Sequence, residues 1–147
     1  SKIYLDTAQS IKEQLKEVGI TVDLEIIEWA TWLSDVYTNR KYEASLAGLA
    51  GKMEPDAILR RYTSTYAKNF TNFNNARYDA LIEEAKRTSN EAKQVENYKE
   101  AQKILAEEQA AIFLMDPNTI IATEKGLEGF EFYPLPYFNF AKLYFKK

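Results

Sequence analysis

Ala8, Ile11, Leu15 and Val18 recur at spacings of three and four, with Lys12, Glu13, Lys16 and Glu17 on the other face. That period predicts an amphipathic helix. Asp6 and Gln9 have the spacing of a capping box, and Gly19 stands where a residue with positive φ would stop the helix. The period then drops to two. Ile20, Val22, Leu24 and Ile26 alternate with Thr21, Asp23 and Glu25, which predicts a strand with one buried face. Trp29, Leu33 and Val36 return to helical spacing as far as about Asn39, and Tyr42 to Ala47 reads as a second, more buried strand. Helix, strand, helix and strand in this order imply crossover connections and a sheet that is at least partly parallel.

The second half is more helical. Residues 69–75 form a polar, asparagine-rich stretch anchored by Phe70 and Phe73. Tyr78, Leu81, Ile82 and Ala85 make one apolar stripe, and Val95, Tyr98, Ala101 and Leu105 make another, ending near Gln109. Ser89-Asn90 breaks the run between them and can cap the second helix, whose Glu91 suits a positive N-terminal end. A helical hairpin follows from the short connection. Ile112 to Met115 and Ile120 to Thr123 read as short strands around Asp116-Pro117-Asn118. From Phe130 onward eight aromatic residues fall within eighteen positions. Pro134 and Pro136 make this tail extended and unsuited to a central strand.

Composition narrows the function. The 147 residues are 46% hydrophobic and 28% charged, enough for one domain with a core, and twenty aromatics exclude a disordered segment. A net charge of −3 without any basic run argues against nucleic acid as a partner. No apolar run approaches the ~20 residues needed to cross a bilayer as a helix. The chain opens at Ser1 with no signal peptide, and the expectation is a processed or engineered fragment from which any export signal has been left behind.

Cysteine and histidine are both absent, which removes thiol chemistry, the commonest general base and the commonest metal ligand. Glu83-Glu84 and Glu107-Glu108 lie on amphipathic helices among basic residues and read as solvated faces. Ser34 and Ser45 lack a nucleophile elbow, and Gly48 and Gly51 lack the third glycine of a dinucleotide fingerprint. Glu54 and Asp56 have no calcium-loop spacing. The expectation is a protein without catalytic residues, cofactor or metal. Loop 48–56, beyond the end of a strand, is where an open α/β sheet gathers a ligand. Trp29, at the junction of strand and helix, stands at a position that often rims a cleft; a packing role in the core is the alternative for it and for Trp32.

The order of these segments resembles the extracellular solute-binding protein family 5, the dipeptide-, oligopeptide- and nickel-binding receptors of ABC importers. Ala8-Gln9 through Leu15-Lys16-Glu17-Val18-Gly19-Ile20-Thr21-Val22 is similar to its "A-Q-x-I-x-x-x-L-x-x-x-G-I-x-V" run. Glu28-Trp29 resembles its strand-ending "E-W", and Tyr42 to Pro55-Asp56 its next strand and loop. Asn69 to Asn75 with Tyr78 to Ala85 is similar to its "N-Y-x-x-Y-x-N-x-x-F-D-x-L-I-x-x-A" segment, and Tyr98 to Leu105 to the helix that follows.

The resemblance implies an α/β, type II periplasmic-binding-protein lobe, with a mixed, mostly parallel sheet flanked by helices. Residues 1–147 would be the second ligand-binding lobe of a two-lobed receptor whose first lobe is absent. It implies a peptide or peptide-like solute as ligand, the importer's membrane subunits as partners, and the extracellular face of the membrane or the periplasm as location, with a lipoprotein anchor on the full protein. It points to Trp29, Gly48, Leu49, Ala50, Gly51 and Lys52 as ligand contacts. Peptide-binding members resemble "G-W-x-x-D" in this loop, whereas this chain has Leu49 for the Trp and Lys52 for the Asp. A lysine repels an ammonium group at contact, so a free peptide N-terminus is a poor fit. The resemblance also leaves rings of the tail without their partner lobe, which implies self-association or mobility there, or else pairing of the tail with the sheet. The alternative function is a signalling or regulatory interaction domain on the same fold; a carboxylate hydrolase is a distant third.

Overall fold

The computed structural model describes residues 2–133 and 137–146. Helix α1 (Lys2–Glu17) begins a turn earlier than the Asp6–Gln9 spacing suggests, so these two residues lie inside the helix and do not cap it. Its end follows the sequence. Gly19 takes φ +83, its N–H donates to Lys16 O (3.0 Å), and Ile20 N–H reaches back to Leu15 O (2.9 Å), the paired bonds of a Schellman cap. Ala8, Ile11 and Leu15 are half-buried, but Val18 is exposed and no residue of α1 is fully buried.

Residues 20–28 follow as an unpaired segment. Val22 and Leu24 are half-buried while Ile26 is 78% exposed. Helix α2 (Trp29–Thr31) then runs directly into a π-helical stretch, Trp32–Thr38. There the bonds reach one residue further than in an α-helix, as in Asn39 N–H to Ser34 O (2.9 Å). The wider turn rotates the apolar face, so Trp32 and Val36 are buried while Trp29 and Leu33 of the expected stripe are exposed.

The core lies in the second half. Helix α3 (Pro55–Leu59) has Pro55 in its first turn, where the missing N–H costs nothing, and passes into a 3₁₀ turn, Arg60–Tyr62. Helices α4 (Ala76–Arg87) and α5 (Glu91–Glu107) form the expected hairpin. Asn75 Oδ1 accepts from Tyr78 N–H (2.8 Å), and Asn90 Oδ1 from Lys93 N–H (3.1 Å), capping both helices. Every member of the α4 stripe, Tyr78, Leu81, Ile82 and Ala85, is buried against Tyr98, Ala101, Ile104 and Leu105 of α5, with Leu59 and Tyr62 closing one side. Each large side chain buried here stabilises the fold by about 1.5–3 kcal/mol. Val95, expected in the α5 stripe, is exposed.

The sheet departs most from expectation. Among the described residues the ladder is one antiparallel pair, β1 (Leu127–Glu128) with β2 (Tyr144–Phe145), and the segments read as strands at 20–26, 42–47, 112–115 and 120–123 carry none. Strand formation needs a partner strand to hydrogen-bond, and among the described residues these segments pair with none; Ile120 is 91% exposed. The described residues are thus helix-rich with one short antiparallel pair, and the mixed, mostly parallel sheet expected for an α/β lobe is not seen among them. Pro134 and Pro136 lie outside the described residues.

Candidate functional site

Trp29 opens α2 with its ring 63% exposed. Three residues along the same helix face, Trp32 lies beneath it, the two indoles parallel within 4° and their centroids 5.0 Å apart. Tyr37 (5.7 Å) and Phe70 (5.7 Å, edge-on) close the remaining sides of Trp32. One face of Trp29 is thus covered by a fixed aromatic block, and the other is open. Such a face can stack on a planar group or pack on an apolar one.

Phe70 is set by its neighbours. Asn69 is buried, and its side-chain amide lies within bonding distance of the carbonyls of Phe73 (2.8 Å), Thr63 (3.1 Å) and Tyr62 (3.3 Å). This gathers the polar 69–75 stretch around one side chain, a role its asparagine-rich composition gives no hint of. Tyr42 donates its hydroxyl hydrogen to Phe70 O. Burial pushes the Tyr42 phenol above its ordinary pKa, partly offset by the positive charge of Arg40.

The loop expected to face a ligand is exposed from Gly48 through Pro55. Gly48 has the Tyr4 hydroxyl of α1 against it, so close that a Cβ there would stand 2.2 Å from the oxygen. Leu49 is exposed, and Ala50 O accepts from Arg61 Nη2 at 3.4 Å. Gly51 faces open space, and Lys52 is exposed. Trp32, beneath Trp29, is linked toward this loop: its Nε1–H donates to Ser45 Oγ (3.0 Å), three residues ahead of Gly48. Tyr4, Ser45 and Arg61 were not candidates from sequence. The three-residue spacing of Trp29 and Trp32 on a helix was the available signal for the stack.

The carboxylates expected on solvated helix faces lie there. Glu83 and Glu84 are exposed, and hydrogen bonds from Lys86 and Lys93 respectively hold their carboxyls below the usual range. Among the described residues, no group of three or more metal-ligating side chains comes together, and no helix is long and apolar enough to cross a membrane.

No family model matches the chain. Individual proteins do. It is 30% identical over 137 residues to the oligopeptide-binding protein AppA of Bacillus subtilis, covering 91% of this chain and 25% of that protein. Identity is 27% over 145 residues to the peptide transport periplasmic protein SapA of Haemophilus influenzae, covering 94% and 26%. With the probable di/tripeptide-binding protein 5 of Pseudomonas aeruginosa it is 26% over 147 residues, covering 95% and 27%. The chain spans about a quarter of the length of these curated relatives. They are peptide-binding and peptide-transport proteins, the kind of protein its motifs resemble.

Proposed function

We propose, for a chain related along nine-tenths of its length to peptide-binding proteins of ABC importers, that it forms one wall of a solute site. The full protein would capture a peptide or peptide-like solute between two lobes outside the cytoplasmic membrane and deliver it to the importer's membrane subunits. It would do so without chemistry on the solute. Residues 1–147 would be the second lobe, of type II periplasmic-binding-protein fold. The unpaired segments at 20–26, 42–47, 112–115 and 120–123 would contribute to a mixed, mostly parallel sheet in the complete receptor.

The observation that carries the reading is the similarity to proteins named for peptide binding, which extends over 91% of the chain. The geometry supports it: an open indole face with a rigid backing, linked by the Trp32–Ser45 bond to the segment that leads into an exposed loop. Lys52 sets the charge preference. It repels a free N-terminal ammonium and favours a neutral segment, a blocked N-terminus or an anionic group.

Titration of the ¹⁵N-labelled chain with tri-alanine, free and N-acetylated, tests this. The shifts should fall on the Trp29 indole and amides 48–52, with the acetylated peptide bound better. Affinity should be weaker than micromolar, since a single wall forgoes about half the contact area of an enclosed ligand. Micromolar binding of the free-amine peptide, shifts confined to other residues, or hydrolysis that survives repurification would each overturn the reading.

A further inference from the structure

Trp32 is only 8% exposed, yet its contacts are not those of a ring that merely fills space. Its face backs Trp29, while its N–H points to the next segment and ends on Ser45 Oγ. Ser45 is itself exposed. Among the described residues, this is the one hydrogen bond between the 29–38 helical stretch and segment 43–52. The π-helical winding that begins at Trp32 brings it about, because the wider turn buries Trp32 in place of Leu33. Inserted π turns are frequent at functional sites.

We propose that Trp32 is the positioning residue of the solute site. Its indole holds the ring of Trp29 from behind and, through Ser45, fixes the segment that delivers loop 48–52, so the two halves of the site keep one geometry. The proposal rests on the reading of Trp29 and residues 48–52 as ligand-facing. A phenylalanine would supply most of the apolar contact of Trp32, but it has no N–H to reach Ser45. Packing and positioning are therefore separable by substitution.

The experiment compares Trp32→Phe, Ser45→Ala and Ser45→Thr with the parent chain, first without ligand. The parent should show a Trp32 indole N–H resonance displaced by its hydrogen bond, and an exciton couplet in circular dichroism from the stacked indoles. Ser45→Ala should move that indole resonance and the amides of 48–52 together, leaving the couplet and the thermal midpoint in place. Ser45→Thr should restore the amide shifts, and Trp32→Phe should abolish the couplet.

Titration with N-acetyl tri-alanine follows. Ser45→Ala should weaken binding about fivefold, the effect of one hydrogen bond of ordinary strength. Should amides 48–52 stay at their parent positions in Ser45→Ala, Trp32 is a packing residue only and the proposal fails. If the peptide shifts nothing at Trp29 in the parent chain, the solute-site reading fails instead. The ligand-free spectra still report whether the two segments are coupled.

Discussion

Two glycines meet a side chain's first carbon in different ways, and the difference is testable. At Gly129, φ is +83 and a Cβ would stand 1.9 Å from the carbonyl oxygen of Lys142. That obstacle is backbone, so it cannot swing aside. Gly129→Ala should cost on the order of 1–3 kcal/mol locally, more than so short a strand pair can bear. Cross-strand nuclear Overhauser effects between Leu127 and Phe145 should vanish while the α4–α5 hairpin melts as before; their survival would show that the tail tolerates the added carbon. At Gly48 the obstacle is the tip of the Tyr4 side chain, which can rotate, and alanine there should barely change stability. Tyr78 carries a different kind of information. Its hydroxyl is buried and donates to Leu59 O (2.6 Å), and burial, with added repulsion from Tyr62, Asp79 and Asp56, raises its pKa far above the ordinary value. Tyr62 and Tyr98 are raised as well, chiefly by burial. A phenol whose folded pKa is raised holds its proton more tightly when folded. Its contribution is fully present below the unfolded value of about 10 and is lost as pH rises from there toward the folded value. The urea midpoint should therefore fall steeply in alkali. Tyr78→Phe should lower stability by about 1 kcal/mol at neutral pH and make that fall shallower. An unchanged alkaline slope in the variant would exclude Tyr78 as its source.

Among the elements, the α4–α5 hairpin depends on its asparagine caps. Asn75→Ala and Asn90→Ala should each cost about 1 kcal/mol. Asn75 should cost more, because its amide also donates to Glu108, just past the end of α5. Urea unfolding followed at 222 nm gives both values, and equal losses would mean that the Glu108 bond contributes nothing. This hairpin was also the most legible part of the sequence. Its stripes at 78, 81, 82 and 85 and at 98, 101 and 105 bury against each other across three connecting residues, so period alone specifies the packing. The Gly19 stop was legible for the same local reason, that only a positive φ closes the cap. Alternation at 20–26 predicted a strand with one buried face, and none forms there; a strand needs a partner distant in sequence, and period carries no information about where that partner lies. The candidate site was half legible. The resemblance singled out Trp29 and 48–52, but the burial of Trp32 follows from a π turn that no spacing rule anticipates. Tyr4 and Ser45 reach the site only through tertiary contacts.

For the molecule as a whole, burial is uneven, and that decides how it should behave in solution. The main apolar cluster runs from Leu59 to Leu105, with Phe73, Ala110 and Ala111 packed against it. The tail is built otherwise. Phe130 packs edge-on against Phe132 (5.1 Å) and beside Phe138 (5.6 Å), and Tyr133 stacks on Tyr137 (4.7 Å), yet most of these rings remain open to water. Phe132 is 64% and Phe140 70% exposed, and pairing with β1 leaves Tyr144 and Phe145 exposed too. The tail thus pairs with a piece of its own chain, which does little to cover it. Contiguous apolar patches of a few hundred Å² are sticky, and covering one ring contributes about 1.5–3 kcal/mol. The chain should therefore self-associate through residues 130–145. Sedimentation at several concentrations should show a weight-average mass that rises with concentration. Replacing Tyr137 and Phe138 together by serine should return it to the monomer value, since both rings are exposed and lie far from the 59–105 core in sequence. The same double variant should leave the urea midpoint of α4 and α5 untouched, which separates loss of a contact surface from loss of the fold. A chain that stays monomeric at high concentration, with tail amides protected from exchange, would mean that the rings find cover within one molecule, and the tail would then be part of the fold.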